Sequence, residues 1–294
     1  MKFIERDQKF VPADTDWINN KWIDVSYADG KRRKMDIYLP NEDKEQFPVI
    51  IDIFGGGMYF GQKSSFKLQG ALELLKKGYA VVSPNYSLSH QADFPTPIYE
   101  IKAAIRYIKA HAKDFKINPK QVFLMGESSG AQLAMLTAAS IGSNQLNGEL
   151  GDYFDQDLEI KGVIASYGPY NLKEMPFQFK ALGQEPRFTE TGASDSFEGV
   201  MLKNNRPIDV PELNDACNPA SYLTDKMVPV LFYAGLDDHV APYVQTVNLA
   251  TQVMEKIGEQ NVQVHLVAGA DHGPKAFLSD SIYQEKDEFM RKLI

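Results

Sequence analysis

Six near-continuous apolar runs constrain this chain more than anything else in it: Val49–Phe54, Tyr79–Ser83, Gln121–Met125, Lys161–Ser166, Val228–Ala234 and Val262–Ala268. Short apolar runs without polar alternation read as strands buried on both faces. Between them lie helical patterns at Leu68–Lys77, Ile98–His111, Gln132–Ile141, Tyr243–Ile257 and Ile282–Leu293. The clearest sets Ile98, Ile101, Ile105 and Ile108 on one stripe, entered through Pro95 and Pro97. Buried strands alternating with helices predict an α/β fold, a mainly parallel sheet covered on both sides. Ahead of the first run, Trp22–Tyr27 and Lys34–Leu39 are joined by Ala28-Asp29-Gly30-Lys31 and read as an antiparallel hairpin at one edge. The expected sheet therefore has eight strands.

The remaining segments carry no such period. Residues 1–20 read as a surface arm with Trp17 as its anchor, and Lys31-Arg32-Arg33-Lys34 as a solvated hairpin end. Gly142–Asp157 is polar and acidic, a surface loop. Residues 171–218 are proline-rich and irregular, with Phe177, Phe179, Phe188 and Phe197. A long insertion between core elements is usually a lid or binding segment, so 171–218 is expected to cap the site of a single 1–294 domain. With 31 basic and 39 acidic side chains the formal charge is −8, which opposes a nucleic-acid partner. No apolar stretch reaches the ~18–20 residues of a membrane span. The start, MKFIERDQKF, lacks the apolar core of a signal peptide, and the lone Cys217 cannot form an internal disulfide. These features lead to the expectation of a cytoplasmic protein, with a homo-oligomer left open.

Gly126-Glu127-Ser128-Ser129-Gly130 follows the run Gln121–Met125 and opens the small-residue helix Ala131–Ile141. A nucleophilic serine needs this setting: a sharp strand–turn–helix bend, glycines that let backbones approach, and a helix N-terminus aimed at developing negative charge. Phe54-Gly55-Gly56-Gly57 ends the first buried run, and its bare backbone N–H groups can approach an anionic oxygen. A dinucleotide site fails here, because no helix starts at Met58–Gln62 and Ser83-Pro84-Asn85 offers no carboxylate to a ribose. A structural glycine turn is the remaining rival. Of five histidines, His111 reads as a surface residue, His265 as a sheet residue and His90 as a loop residue. His239 and His272 fall near strand C-terminal ends, where α/β sites assemble. His272, in Gly269-Ala270-Asp271-His272-Gly273, can swing over the sheet edge toward Ser128. Asp237 or Asp238 can orient it, in the chain order Ser, Asp, His. Local chemistry does not separate the two carboxylates.

These residues resemble the α/β-hydrolase carboxylesterases, close to the bacterial acetyl/feruloyl-esterase-like branch related to hormone-sensitive lipase. The likeness spans about residues 22–294 and is carried by DIYLP (36–40), GGG (55–57), NYSLSH (85–90), FPTPIYEIKAAIRYIK (94–109), GESSG (126–130) and DHVAPY (238–243). It implies Asp238 as the orienting carboxylate, because Ala241-Pro242 follow it where the family has Val-Pro. It also implies an oxyanion hole from the N–H groups of Gly56, Gly57 and Ser129. The chain departs from the family at Phe54, where a loop-bracing His is usual, and at Ser129-Gly130-Ala131 in place of Ala-Gly-Gly. It departs again at Ser87, commonly Arg, and at Pro274, commonly Phe. The expected activity is hydrolysis of short-chain acyl esters by Ser128, His272 and Asp238, with a small-molecule ester as partner and no metal or organic cofactor. An acyltransferase, a small-peptide or amide hydrolase, and a non-catalytic ligand-binding protein are the competing readings.

Overall fold

The computed structural model describes residues 9–294. Its strands are β1 (Lys21–Ser26), β2 (Lys34–Tyr38), β3 (Phe47–Ile53), β4 (Ala80–Pro84), β5 (Ile117–Glu127), β6 (Gly162–Ser166), β7 (Val230–Gly235) and β8 (Val262–Val267). They form one sheet in the order β1-β2-β4-β3-β5-β6-β7-β8. The pairs β1–β2 and β2–β4 are antiparallel, and every other neighbouring pair is parallel. The helices are α1 (Gln69–Leu72), α2 (Thr96–Ala110), α3 (Ser129–Gly142), α4 (Met175–Leu182), α5 (Phe197–Met201), α6 (Pro211–Ala216), α7 (Val244–Ile257) and α8 (Asp280–Arg291). Among the described residues, no helix is long and apolar enough to cross a membrane.

The two-residue period of a strand divides the core. Val49, Ile51 and Ile53 of β3 join the apolar layer that includes Ile98, Ile101 and Ile105 of α2, whereas Ile50 joins the opposite layer with Phe289 and Met290 of α8. Every residue of β3 is buried, as a strand with both faces covered requires. From β3 the chain moves outward to β4, then returns to β5 on the other side of β3. The loops leaving the C-terminal ends of β3 and β5 therefore part in opposite directions and open a crevice, the place where ligands bind in sheets of this kind.

Three expectations are corrected. The segment 171–218 is not irregular throughout: it holds α4, α5 and α6, with prolines at the starts of α4 and α6, positions that need no backbone N–H. The helix expected over Leu68–Lys77 is one turn of α-helix between 3₁₀ turns. The tighter winding sets the buried Leu72 and Leu75, three residues apart, on one line. Arg32 and Arg33 are not simply solvated. Arg32 donates to the carbonyls of Tyr86 (2.7 Å) and Gly61 (2.9 Å), and Arg33 pairs with the buried Glu100 at 3.0 Å. Of the N-terminal arm, residues 1–8 lie outside the described residues. Beyond them, Ala13 N–H donates to Ser64 O and Trp17 packs against the α8-side layer.

Candidate active site

Ser128 occupies the bend between β5 and α3 with φ 53° and ψ −128°, a conformation that L-residues reach only under constraint. Two features hold it there. Its N–H donates to Ser166 O at 2.9 Å, tying the bend to the end of β6. Gly130 lets the first turn of α3 press onto β3, since a Cβ there would fall 2.0 Å from Ile53 O. The backbone thus requires the glycine whatever chemistry the serine performs.

His272 reaches Ser128 from the loop after β8. Its Nε2 lies 2.9 Å from Ser128 Oγ, and its Nδ1 lies 2.8 Å from Asp238 Oδ2. The carboxylate is Asp238, 1% exposed, whereas Asp237 is exposed to solvent. The other oxygen of Asp238 accepts the N–H groups of Val240 and Ala241, each at 2.8 Å. These bonds fix the carboxylate on its turn and leave Oδ2 for the imidazole. Pairs 34 and 144 residues apart in sequence converge in this way on one line.

The other histidines are engaged elsewhere. His111 sits between Asp114 and Tyr153, His265 beside Glu285, and His90 against Tyr59. His239 lies on the same loop as Asp238 and has no bond to Ser128: its Nδ1 lies 2.7 Å from Glu185 O, in segment 171–218. Arg187 of that segment pairs with Asp271 and donates its own N–H to His239 O. Asp271 also accepts the N–H of His272 at 2.7 Å. Partial burial pushes the Asp271 carboxyl upward, but the N–H groups of His272 and His239 and the Arg187 guanidinium hold it below the usual carboxylate range.

The glycine loop is braced without a histidine. Phe54 stacks on Tyr86, ring centroids 4.3 Å apart, and Tyr86 Oη donates to Phe54 O at 2.7 Å. Ser129 Oγ accepts the N–H groups of Gly56 and Met58, each at 3.1 Å. Gly56 N–H is therefore engaged with the side chain of Ser129. Among the described residues, the N–H groups of Gly57 and Ser129 have no partner. Gly57 has φ 63°, and a Cβ there would meet the Phe197 ring of α5 at 2.3 Å. The bracing role of the Ser129 hydroxyl was not legible in the sequence, where a serine after Ser128 reads only as a small residue.

Ser128, His272 and both glycines line a cleft of about 260 Å³. Met58, Met175, Met201, Phe188 and Phe197 give it an apolar wall, four of the five residues coming from 171–218. Pro274 also lines it. Ser87 does not, and is tied instead to the buried Glu100 through its N–H (2.6 Å) and hydroxyl (2.7 Å).

Comparison with known proteins agrees with this architecture. The BD-FAE family model matches residues 35–253. Isoprenylcysteine alpha-carbonyl methylesterase ICME of Arabidopsis thaliana is 22% identical over 92% of this chain and 60% of its own length. Esterase LipQ of Mycobacterium tuberculosis is 25% identical over 76% of this chain and 50% of its own. The chain thus spans about half to three-fifths of these curated relatives. A solved structure, a truncated carbohydrate esterase from gut microbiota, superposes with a TM-score of 0.82 at 25% identity, covering 96% of this chain and 99% of that one.

Proposed function

The chain belongs to the BD-FAE family of α/β-hydrolases, and on that premise we propose that it is a serine carboxylesterase acting on short-chain acyl esters. The observation that carries the reading is the hydrogen-bonded line Ser128–His272–Asp238, opening on a cleft beside two unpartnered N–H groups. Ser128 Oγ attacks the ester carbonyl as His272 Nε2 takes its proton. Asp238 holds the imidazole in the tautomer with hydrogen on Nδ1 and stabilises the imidazolium. The N–H groups of Gly57 and Ser129 receive the tetrahedral oxyanion, and Gly56 joins them only by releasing Ser129 Oγ. His272 returns the proton to the leaving alcohol. Water then repeats the sequence on the acyl-serine and restores the free enzyme.

Acyl-chain length follows from space. A cleft of about 260 Å³ lies below the roughly 300–1,000 Å³ of sites for drug-sized ligands. The apolar wall from 171–218, acting as the cap of one hydrolase domain, excludes long chains. The test is fluorophosphonate labelling with peptide mass spectrometry, with Ser128→Ala as control. One adduct on Ser128, absent from the control, supports the reading and leads to p-nitrophenyl esters of graded chain length. Folded protein without an adduct refutes it in favour of a binding protein. Added alcohol acceptors and anilide substrates then separate hydrolase from acyltransferase and amidase.

A further inference from the structure

Tyr167 immediately follows β6 and is 2% exposed. Its φ of 42° places a bulky non-glycine residue in the left-handed region, where it persists only if its surroundings enforce it. Three contacts do so. Its N–H donates to Tyr233 O at 2.7 Å, its hydroxyl donates to Glu127 Oε2, and its ring packs on Phe277 at 4.8 Å between centroids. A fourth contact meets the site: the ring lies edge-to-face against the imidazole of His272, at 4.9 Å and 70°.

Glu127 directly precedes Ser128 in the chain. Its second oxygen, Oε1, has Lys67 at 3.4 Å, and Lys67 also lines the cleft. One side chain, Tyr167, therefore touches the flank of the nucleophile bend with its hydroxyl and the imidazole with its ring. Asp238 and Ser128 fix the two ring nitrogens of His272 but leave the imidazole free to tip about the line between them. The ring contact with Tyr167 restricts that freedom.

We propose that Tyr167 is a positioning residue, which holds the His272 imidazole in register with Ser128 while Glu127 anchors its hydroxyl. The proposal rests on the esterase reading only for its kinetic consequence. Burial, reinforced by the Glu127 carboxylate, pushes the Tyr167 hydroxyl well above its ordinary range, so it remains a donor at any working pH.

The test uses the full chain with Tyr167→Leu, Tyr167→Phe and Glu127→Ala, since glutamine at 127 would keep an acceptor for the hydroxyl. It reads kcat and KM on p-nitrophenyl acetate and the far-downfield proton resonance of the His272–Asp238 hydrogen bond. Loss of the ring in Tyr167→Leu lowers kcat by about 10–100-fold with KM changed less than about threefold, and broadens the resonance. Tyr167→Phe keeps the ring and loses about 3–10-fold in kcat. The double variant Tyr167→Phe/Glu127→Ala loses no more than the more damaging of the two single variants, because each single change removes the same hydrogen bond. A folded Tyr167→Leu with unchanged kcat and a sharp resonance overturns the proposal. If Tyr167→Leu does not fold, unchanged kcat in Tyr167→Phe overturns it. A wild-type chain that turns over no ester refutes the esterase reading alone, and the resonance still decides: persistence in Tyr167→Leu removes the role of Tyr167.

Discussion

Replacing Ser129 with alanine separates two accounts of the glycine loop. Ser129 is 2% exposed, and its hydroxyl oxygen accepts the N–H groups of Gly56 and Met58 at 3.1 Å each. Alanine leaves both without a partner. Gly56 is half-buried on the cleft, so water there can take the place of the lost acceptor. Met58 is 2% exposed, and its N–H stays dry. One dry orphaned donor costs about 1–3 kcal/mol. At the midpoint, about 2 kcal/mol, Tm in a chain of this size falls by about 3 °C. The loop that presents Gly57 also loses two of its tethers. Misplacing a catalytic group by about 1 Å costs on the order of 10²-fold, so kcat should fall by about 10–100-fold while KM for a small ester changes little. Calorimetry measures the first effect. Hydrolysis of p-nitrophenyl acetate, normalised to sites titrated with fluorophosphonate, measures the second. The opposing account makes Gly56 an oxyanion donor held back by Ser129. In that case alanine frees the donor and kcat rises. An increase in kcat, or an unchanged kcat and Tm, would refute the bracing role.

Asp238→Asn should lower kcat by about 10³–10⁴-fold with the fold intact, because an amide favours the wrong imidazole tautomer. Asp237→Asn, at an exposed position, should leave kcat/KM within about twofold, and a matched loss in both variants would remove the assignment. Gly130→Ala drives a methyl group to 2.0 Å from Ile53 O, so soluble folded protein should be lost, as circular dichroism and size exclusion will report. Lys102 is fully buried, donating to Gln145 O (2.6 Å) and Asn147 Oδ1 (3.0 Å), and burial, with Arg106 beside it, pushes its ammonium down to about 7. Below the ordinary lysine value of about 10.4 the unfolded chain binds the extra proton, so this group makes stability rise from about pH 7 toward 10 and fall as pH drops back. Lys102→Met should flatten that part of the denaturation profile; identical pH slopes in the two proteins would contradict the linkage.

The sheet and the bend were legible because each rests on a constraint local to the sequence. A strand buried on both faces is apolar nearly throughout, so the run at Val49–Phe54, interrupted only by Asp52, marked β3 to within two residues. Ser128 needs neighbours without a Cβ, so Gly130 announced the bend before any contact was known. The order β2-β4-β3-β5 was not legible, since no residue in β3 states which neighbour it will take. Nor were the helices of 171–218, which are too short for a period to accumulate: α5 has five residues and α6 six.

The same division explains which site residues stood out. Ser128, His272 and Asp238 are types that chemistry singles out, and each sits on a turn at a strand end. The groups that hold them still have no such mark. Ser129 meets partners 73 and 71 residues away, and Tyr167 meets Glu127 across 40. A serine or tyrosine is an ordinary residue in any loop, and only the folded backbone turns it into a brace. Phe54 in place of a histidine therefore does not leave the loop unheld. Two N–H groups of the loop are bound by Ser129, and the ring of Phe54 is stacked on Tyr86. A Phe54→His substitution should accordingly bring little gain in kcat while Ser129 is present, and a larger gain in the Ser129→Ala background. Equal effects of Phe54→His in both backgrounds would show that the two braces act on different parts of the loop.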